Sequence, residues 1–225
     1  MLRPLALAAG LAVTLLGSSM ALAQNATFYT VTYIEVGPIL SKVGAAALRD
    51  YRDAGRKDDG NFGLEVLQRI DRANQFAVLG AWVDQKAFEA HAGRAHTKAM
   101  QEKIAGIAAA PIDTRQHHAL SVARAKSGRD AVFAVTHVDV IPPQKDNGVA
   151  ALKQLAEGSR QHSGNLEFDV WQQTNRPNNF TVVEAWNSRG ALNVHVMQKE
   201  TREFRMKLAP MSGALYDERL YKVMR

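Results

Sequence analysis

This 225-residue chain has seven histidines and no cysteine. Without a thiol, disulfide frameworks, zinc–thiolate sites, iron–sulfur clusters and cysteine catalysis are excluded together. Two of the histidines recur in one setting: His91 follows Trp82 by nine residues, and His195 follows Trp186 by nine. An imidazole titrates near neutrality, so it can take or give a proton as a general acid or base. Glu184 precedes Trp186 by two residues, so on a strand the two share a face. Burial beside an indole would raise the Glu184 pKa and make it a base, or an orienter for a nearby histidine. His195 with Glu184 is accordingly the first acid/base pair, with Trp186 as a pocket wall. His91 with Trp82 forms a second site. Each residue also has a plainer reading: tryptophan as core packing, Glu184 as a satisfied polar group at a sheet edge, and histidine bonded to backbone or solvent.

The other histidines are placed by spacing. His96 is five residues after His91, which on one continuous helix turns it well away, so the pair is a poor metal chelate. His117 and His118 are adjacent on a strand and point to opposite faces. No metal is assigned. His137 lies in the first strand of the second half at the position of Tyr33, beside the tryptophan strand, so both are candidates to line the substrate pocket. No Gly-rich dinucleotide loop, Walker loop, nucleophile elbow or H-E-x-x-H pattern occurs.

The elements that must position these groups are written twice. A shift of 104 aligns Gly60-Asn61 with Gly164-Asn165, Phe76 with Phe180, Ala81-Trp82 with Ala185-Trp186, Ala87 with Ala191 and His91 with His195. A repeat of about 100 residues is a domain, not a solenoid unit. In the first copy, residues 28–36 alternate as a strand, and 39–56 have a helical period that Gly60 follows. Strands at 62–70 and 75–83 flank a tight turn, Asp84 caps a helix to about Ala105, and 114–122 is the last strand. The second copy predicts strands at 131–141, 165–173, 179–186 and 214–223, with helices at 144–161 and 188–208. The order βαββαβ is a ferredoxin-like unit whose helices cover one sheet face. The other face is apolar too and needs cover. The fold class is therefore α+β: two ferredoxin-like units, 24–123 and 131–225 about a linker 124–130, packed sheet to sheet with the helices outside. The tryptophan side of each sheet is expected to face the interior between the sheets.

The segment Phe76-Ala-Val-Leu-Gly-Ala-Trp82, Ala87-Phe88, His91, His96 and its copy Phe180-Thr-Val-Val-Glu184-Ala-Trp186, Ala191-Leu192, His195 resemble the antibiotic biosynthesis monooxygenase family. That family's usual pattern is Glu-x-Trp, then a helix carrying Ala and His, often with a second His five residues on. Copy one has both histidines but Gly80 for the Glu; copy two has Glu184 but Glu200 for the second His. The resemblance implies that the two units pair as an intramolecular dimeric α/β barrel, and that the activity is oxygenation of quinols or phenols with no cofactor. Haem degradation is disfavoured, because His91 and His195 stand where haem-degrading members have a helical Trp, and Gln101 and Arg205 where they have a His. The expected ligand is a small aromatic or hydrophobic molecule, with Trp186, Trp82, His137, Tyr33 and His96 as substrate-binding residues and His195, Glu184 and His91 as catalytic ones. The alternatives are a non-catalytic binding protein for a small hydrophobic ligand, or a structural, oligomerising remnant of the same fold; further self-association fits each of them.

Residues 1–23 read as a cleavable signal peptide: Arg3, an apolar run from Leu5 to Leu16, and Ala21-Leu22-Ala23 before Gln24. The run is short for a bilayer span, so a periplasmic or secreted protein with no membrane anchor is expected. Net charge is +6, but the basic residues are scattered. Arg49, Arg52, Arg56 and Lys57 alternate with Asp50, Asp53, Asp58 and Asp59, which reads as a solvated helix face rather than a nucleic-acid stripe.

Overall fold

A computed structural model describes residues 27–123, 125–126 and 130–225; residues 1–23, expected to be a signal peptide, and part of the expected linker lie outside them. The first half runs β1 (Phe28–Glu35), α1 (Ser41–Gly55), β2 (Asn61–Arg69), β3 (Gln75–Trp82), α2 (Gln85–Ala92), α3 (Ala95–Ala105), β4 (Asp113–Ser121). The second runs β5 (Val132–Asp139), α4 (Lys145–Ser159), β6 (Asn165–Gln173), β7 (Asn179–Trp186), α5 (Arg189–Val196), α6 (Lys199–Leu208), β8 (Asp217–Val223). All strand pairings are antiparallel, and the eight strands close into one barrel in the order β1-β3-β2-β8-β5-β7-β6-β4. The two sheets are thus more than stacked. Each half's last strand pairs with an edge of the other half, β8 on β2 and β4 on β6, so closure removes all four open edges.

Strand alternation sorts the core into three clusters. Tyr29, Val31, Leu67, Leu79, Phe133, Val135, Trp171 and Tyr221 fill the barrel, contributed by both halves. Phe28, Phe76, Val78 and Trp82 face outward beneath Leu48, Tyr51, Met100 and Ile104 of α1 and α3. Phe168, Phe180, Val182 and Trp186 do the same beneath Leu152, Leu155, Phe204 and Leu208 of α4 and α6. The expectation that both tryptophans face the barrel interior is corrected here: they lie between sheet and helices. A period of two defines two faces but does not say which one the helices cover. Their interior counterparts are the small residues Ala77, Ala81 and Ala185, which leave room for Tyr29 to stack on Trp171 with ring centroids 4.7 Å apart.

The predicted helices 84–105 and 188–208 are each two helices, broken at Gly93–Arg94 and Met197–Gln198. The Arg94 and Gln198 amides turn back to the carbonyls of His91 and His195, and the Thr97 hydroxyl donates to the His91 carbonyl at 2.7 Å. Nothing in the apolar period marks this break, because side chains on both sides of it face the same core. The expected Asp84 cap holds, accepting from the Ala87 amide, and the structure adds its counterpart, Ser188 accepting from the Ala191 amide. The paired glycines and alanines explain one another. Gly60 and Gly164 have φ of +76° and +82°, and a Cβ there would lie 2.7 Å from the Ala87 Cβ and 2.6 Å from the Ala191 Cβ. Only glycine takes that backbone at that distance.

Candidate functional site

In the first half, three elements converge on His91, which is 1% exposed. It ends α2, its ring lies 4.5 Å from Trp82 of β3, and α1 presents Tyr51. The loop after α1 brings in Asp58. His91 Nδ1 is 2.6 Å from Asp58 Oδ2, and Nε2 is 2.7 Å from the Tyr51 hydroxyl. A carboxylate can only accept, so Nδ1 carries the proton and Nε2 offers its lone pair to the Tyr51 O–H. Burial lowers the His91 pKa and outweighs the opposing pull of Asp58, so the ring is neutral and able to take a proton at neutral pH. Burial, then Asp58, raises the Tyr51 pKa; it stays a hydroxyl.

The helix break also carries His96 back to the same place. Its Nε2 is 3.1 Å from Asp58 Oδ2 and 3.5 Å from His91 Nδ1. On an unbroken helix these rings would diverge, so the expectation that they make a poor pair is corrected. Neither His117 nor His118 joins them. His117 faces the barrel, bonded to Thr181 at 2.9 Å, and His118 lies against Phe28. Asp58, read from the sequence as part of a solvated face, is the residue that was missed.

In the second half, Glu184 Oε2 accepts from the Trp186 indole at 2.9 Å and lies 3.6 Å from His195 Nε2. The His195 ring stacks on Trp186 at 4.5 Å. Burial pushes the Glu184 carboxyl up to about 8 despite the indole bond. Burial, then His162 and Arg205, lowers His195 to about 4. The pair is therefore neutral around pH 7, an acid facing an imidazole. The first half has Gly80 in place of Glu184 for a steric reason. Thr30 Oγ1 takes the Trp82 indole N–H at 3.3 Å, and a Cβ on Gly80 would sit 2.4 Å from that oxygen. Ala134 stands opposite Glu184 where Thr30 stands opposite Gly80, so each half supplies one acceptor to its indole.

The halves also differ in what stands beside each histidine. A cavity of about 60 Å³ opens against His91 and Tyr51, bounded by Phe88, Gln101, Ile112 and Thr114. At the matching second-half positions stand Arg205, Tyr216 and Glu218. The Arg205 guanidinium covers the Tyr216 ring at 4.4 Å and bonds Glu218 at 3.3 Å. Tyr33 and His137 do not line this cavity. They share the inward alternation of Tyr29, Val31, Phe133 and Val135, on the opposite face from the tryptophans, and the Tyr33 ring lies between Arg115 and Arg219. Their strands adjoin the tryptophan strands as expected, but their parity is wrong for a shared pocket.

The sequence profile described as antibiotic biosynthesis monooxygenase matches residues 28–103 and again 131–207. The "Putative monooxygenase YcnE" of Bacillus subtilis is 25% identical over 68 residues, which cover 30% of this chain and 68% of that one. Two solved structures share the whole tandem fold. One, a "Putative monooxygenase" of Fusobacterium nucleatum, has a TM-score of 0.79 at 17% identity, covering 89% of this chain and 93% of its own. The other, an "anthrone oxidase-like protein", has a TM-score of 0.72 at 14% identity, covering 90% and 93%.

Proposed function

The chain belongs to the antibiotic biosynthesis monooxygenase family, in two fused copies, and from that premise we propose that it oxygenates a small phenol or quinol in the first-half cavity, with His91 as the base. The observation that carries this is the line Asp58–His91–Tyr51 ending at the cavity. A substrate hydroxyl there gives its proton to His91 Nε2, directly or through the Tyr51 hydroxyl. Asp58 holds the resulting imidazolium. The phenolate donates electrons to dioxygen; one oxygen atom enters the ring and the other leaves as water. A quinol so treated supplies both electrons and departs as a hydroxyquinone, which balances atoms and charge without a further reductant. Val78, Phe88 and Ile112 form the apolar wall, with Trp82 behind the His91 ring. At about 60 Å³ the cavity is well below a typical ligand pocket of about 300 Å³ or more, so even one ring enters only as the side chains around it give way, and a single-ring substrate asks the least of them. His195 and Glu184 form a second, more tightly packed site in this reading. Export is part of the proposal and rests on the pattern of residues 1–23.

Oxygen uptake with a panel of single-ring quinols tests it. His91→Gln should lower kcat/KM by about 10²–10⁴-fold, the usual worth of a positioned base, and Asp58→Asn should lower it less. His195→Gln should leave most of the rate. Absence of protein-dependent uptake, or uptake indifferent to His91→Gln, refutes the catalytic reading; ligand binding without uptake favours a binding protein.

A further inference from the structure

The 104-residue shift reveals a second regularity around the same histidines. Asp58, His91 and His96 correspond to His162, His195 and Glu200. Each half thus places two imidazoles and one carboxylate at the same three positions, with the carboxylate moved from the loop to the second helix. The contacts follow: His162 Nδ1 is 2.9 Å from His195 Nδ1, and His162 Nε2 is 3.5 Å from Glu200 Oε2. Two imidazoles and a carboxylate form a ligand set for first-row divalent metals.

We propose that Asp58, His91 and His96 bind a divalent transition-metal ion of the zinc class. Their donor atoms form a triangle with sides of 2.6, 3.1 and 3.5 Å. A point just off its plane lies about 2 Å from all three corners, the length of zinc–nitrogen and zinc–oxygen bonds. The free nitrogen of His91 already has a partner. With Nδ1 on the ion the proton moves to Nε2 and is donated to the Tyr51 oxygen, the outer hydrogen bond that metal-bound histidines usually make. His96 is partly exposed, with 22% of its side chain accessible, so ion and solvent reach the remaining coordination positions. One group opposes a cation: Arg94, whose Nε lies 3.9 Å from Asp58 Oδ1. Its side chain is half exposed and can swing into water. In the second half, His162 turns a different nitrogen to each neighbour, so those three donors do not meet at one point. Among the described residues the site is therefore single, and one ion is expected to bind. On the reading of His91 as a base, the ion occupies that base and competes with turnover.

The test is direct binding, which does not depend on turnover. Full-length protein stripped with a chelator is titrated with Zn²⁺ by calorimetry, and with Co²⁺ by visible absorption. One equivalent should bind, with a Co²⁺ band typical of four or five nitrogen and oxygen ligands. His96→Ala and Asp58→Asn should each weaken binding by about 100-fold or more, given that even outer partners are worth about 10–100-fold. Glu200→Gln should retain the ion, and Arg94→Ala should tighten it. Lack of a specific equivalent, or binding that survives His96→Ala in a variant with unchanged circular dichroism, overturns the proposal. So does loss of binding in Glu200→Gln alone. If Zn²⁺ binds as described but does not slow oxygen uptake, the metal site stands and the assignment of His91 as base falls.

Discussion

Glu184→Gln should stabilise this protein, and by an amount that grows with pH. Glu184 is fully enclosed between Trp186 and His195, and burial holds its carboxyl up at about 8 against an ordinary value of 4.5. The folded state therefore keeps a proton that the unfolded chain releases above about pH 4.5. A folded pKa raised above the unfolded one means that stability is lost as pH rises through this window. At 1.36 kcal/mol per unit, the loss amounts to about 3 kcal/mol between pH 5 and pH 8. Glutamine keeps an amide oxygen for the Trp186 indole and carries no proton to lose. Urea unfolding at pH 5 and pH 8 should therefore show the variant gaining about 3 kcal/mol more over the parent at pH 8 than at pH 5. His195 acts in the opposite sense: lowered to about 4, it makes the fold lose stability as pH falls below about 6.5. Between about pH 4.5 and 6.5 the two proton imbalances offset each other, and the parent's profile should be nearly flat. A gain in the variant that is equal at both pH values would refute the burial argument.

Three further outcomes follow from the packing. Gly60→Ala should destabilise by more than about 1 kcal/mol, because a Cβ at φ +76° would meet Ala87 at 2.7 Å; thermal unfolding reads the loss. Gly80→Ala should cost about 1–3 kcal/mol by overpacking Thr30 and Trp82, and Thr30→Ala in the same chain should recover part of it in a double-mutant cycle. Tyr51→Phe should leave folding intact yet reduce oxygen uptake, since it removes the hydroxyl that links the cavity to His91; an unchanged rate would show that substrate reaches the imidazole without it.

Much of this architecture is legible in the amino-acid order. The repeat, the element sequence and the Asp84 cap follow from local rules, and the pairing of halves follows from sheets apolar on both faces. The site was less legible, for separable reasons. Asp58 sits 33 residues from His91 in the chain, and among neighbouring charges it has no local signature of burial. The break at Gly93–Arg94, which brings His96 back to His91, leaves the apolar period unmarked. Tyr33 and His137 occupy the right strands, but the side on which the helices lie is a tertiary choice that alternation alone leaves open. One signal was present and unused: read at a shift of 104, Asp58 and Glu200 each stand opposite a histidine, which ties the loop to the helix without coordinates. The different surroundings of the two histidines were not legible, since Arg205, Tyr216 and Glu218 act as a cluster only once packed together.

The central claim is that His91 takes a proton from a phenol bound in the first half. Long-range proton–nitrogen NMR of histidine-labelled protein, titrated with catechol under nitrogen, observes that proton directly. The account predicts that the His91 Nε2 resonance shifts as it accepts a hydrogen bond from the bound hydroxyl or from Tyr51, with Nδ1 still protonated, while His195 is unmoved. A His91 signal unmoved at saturating catechol, or a shift at His195 instead, would contradict it.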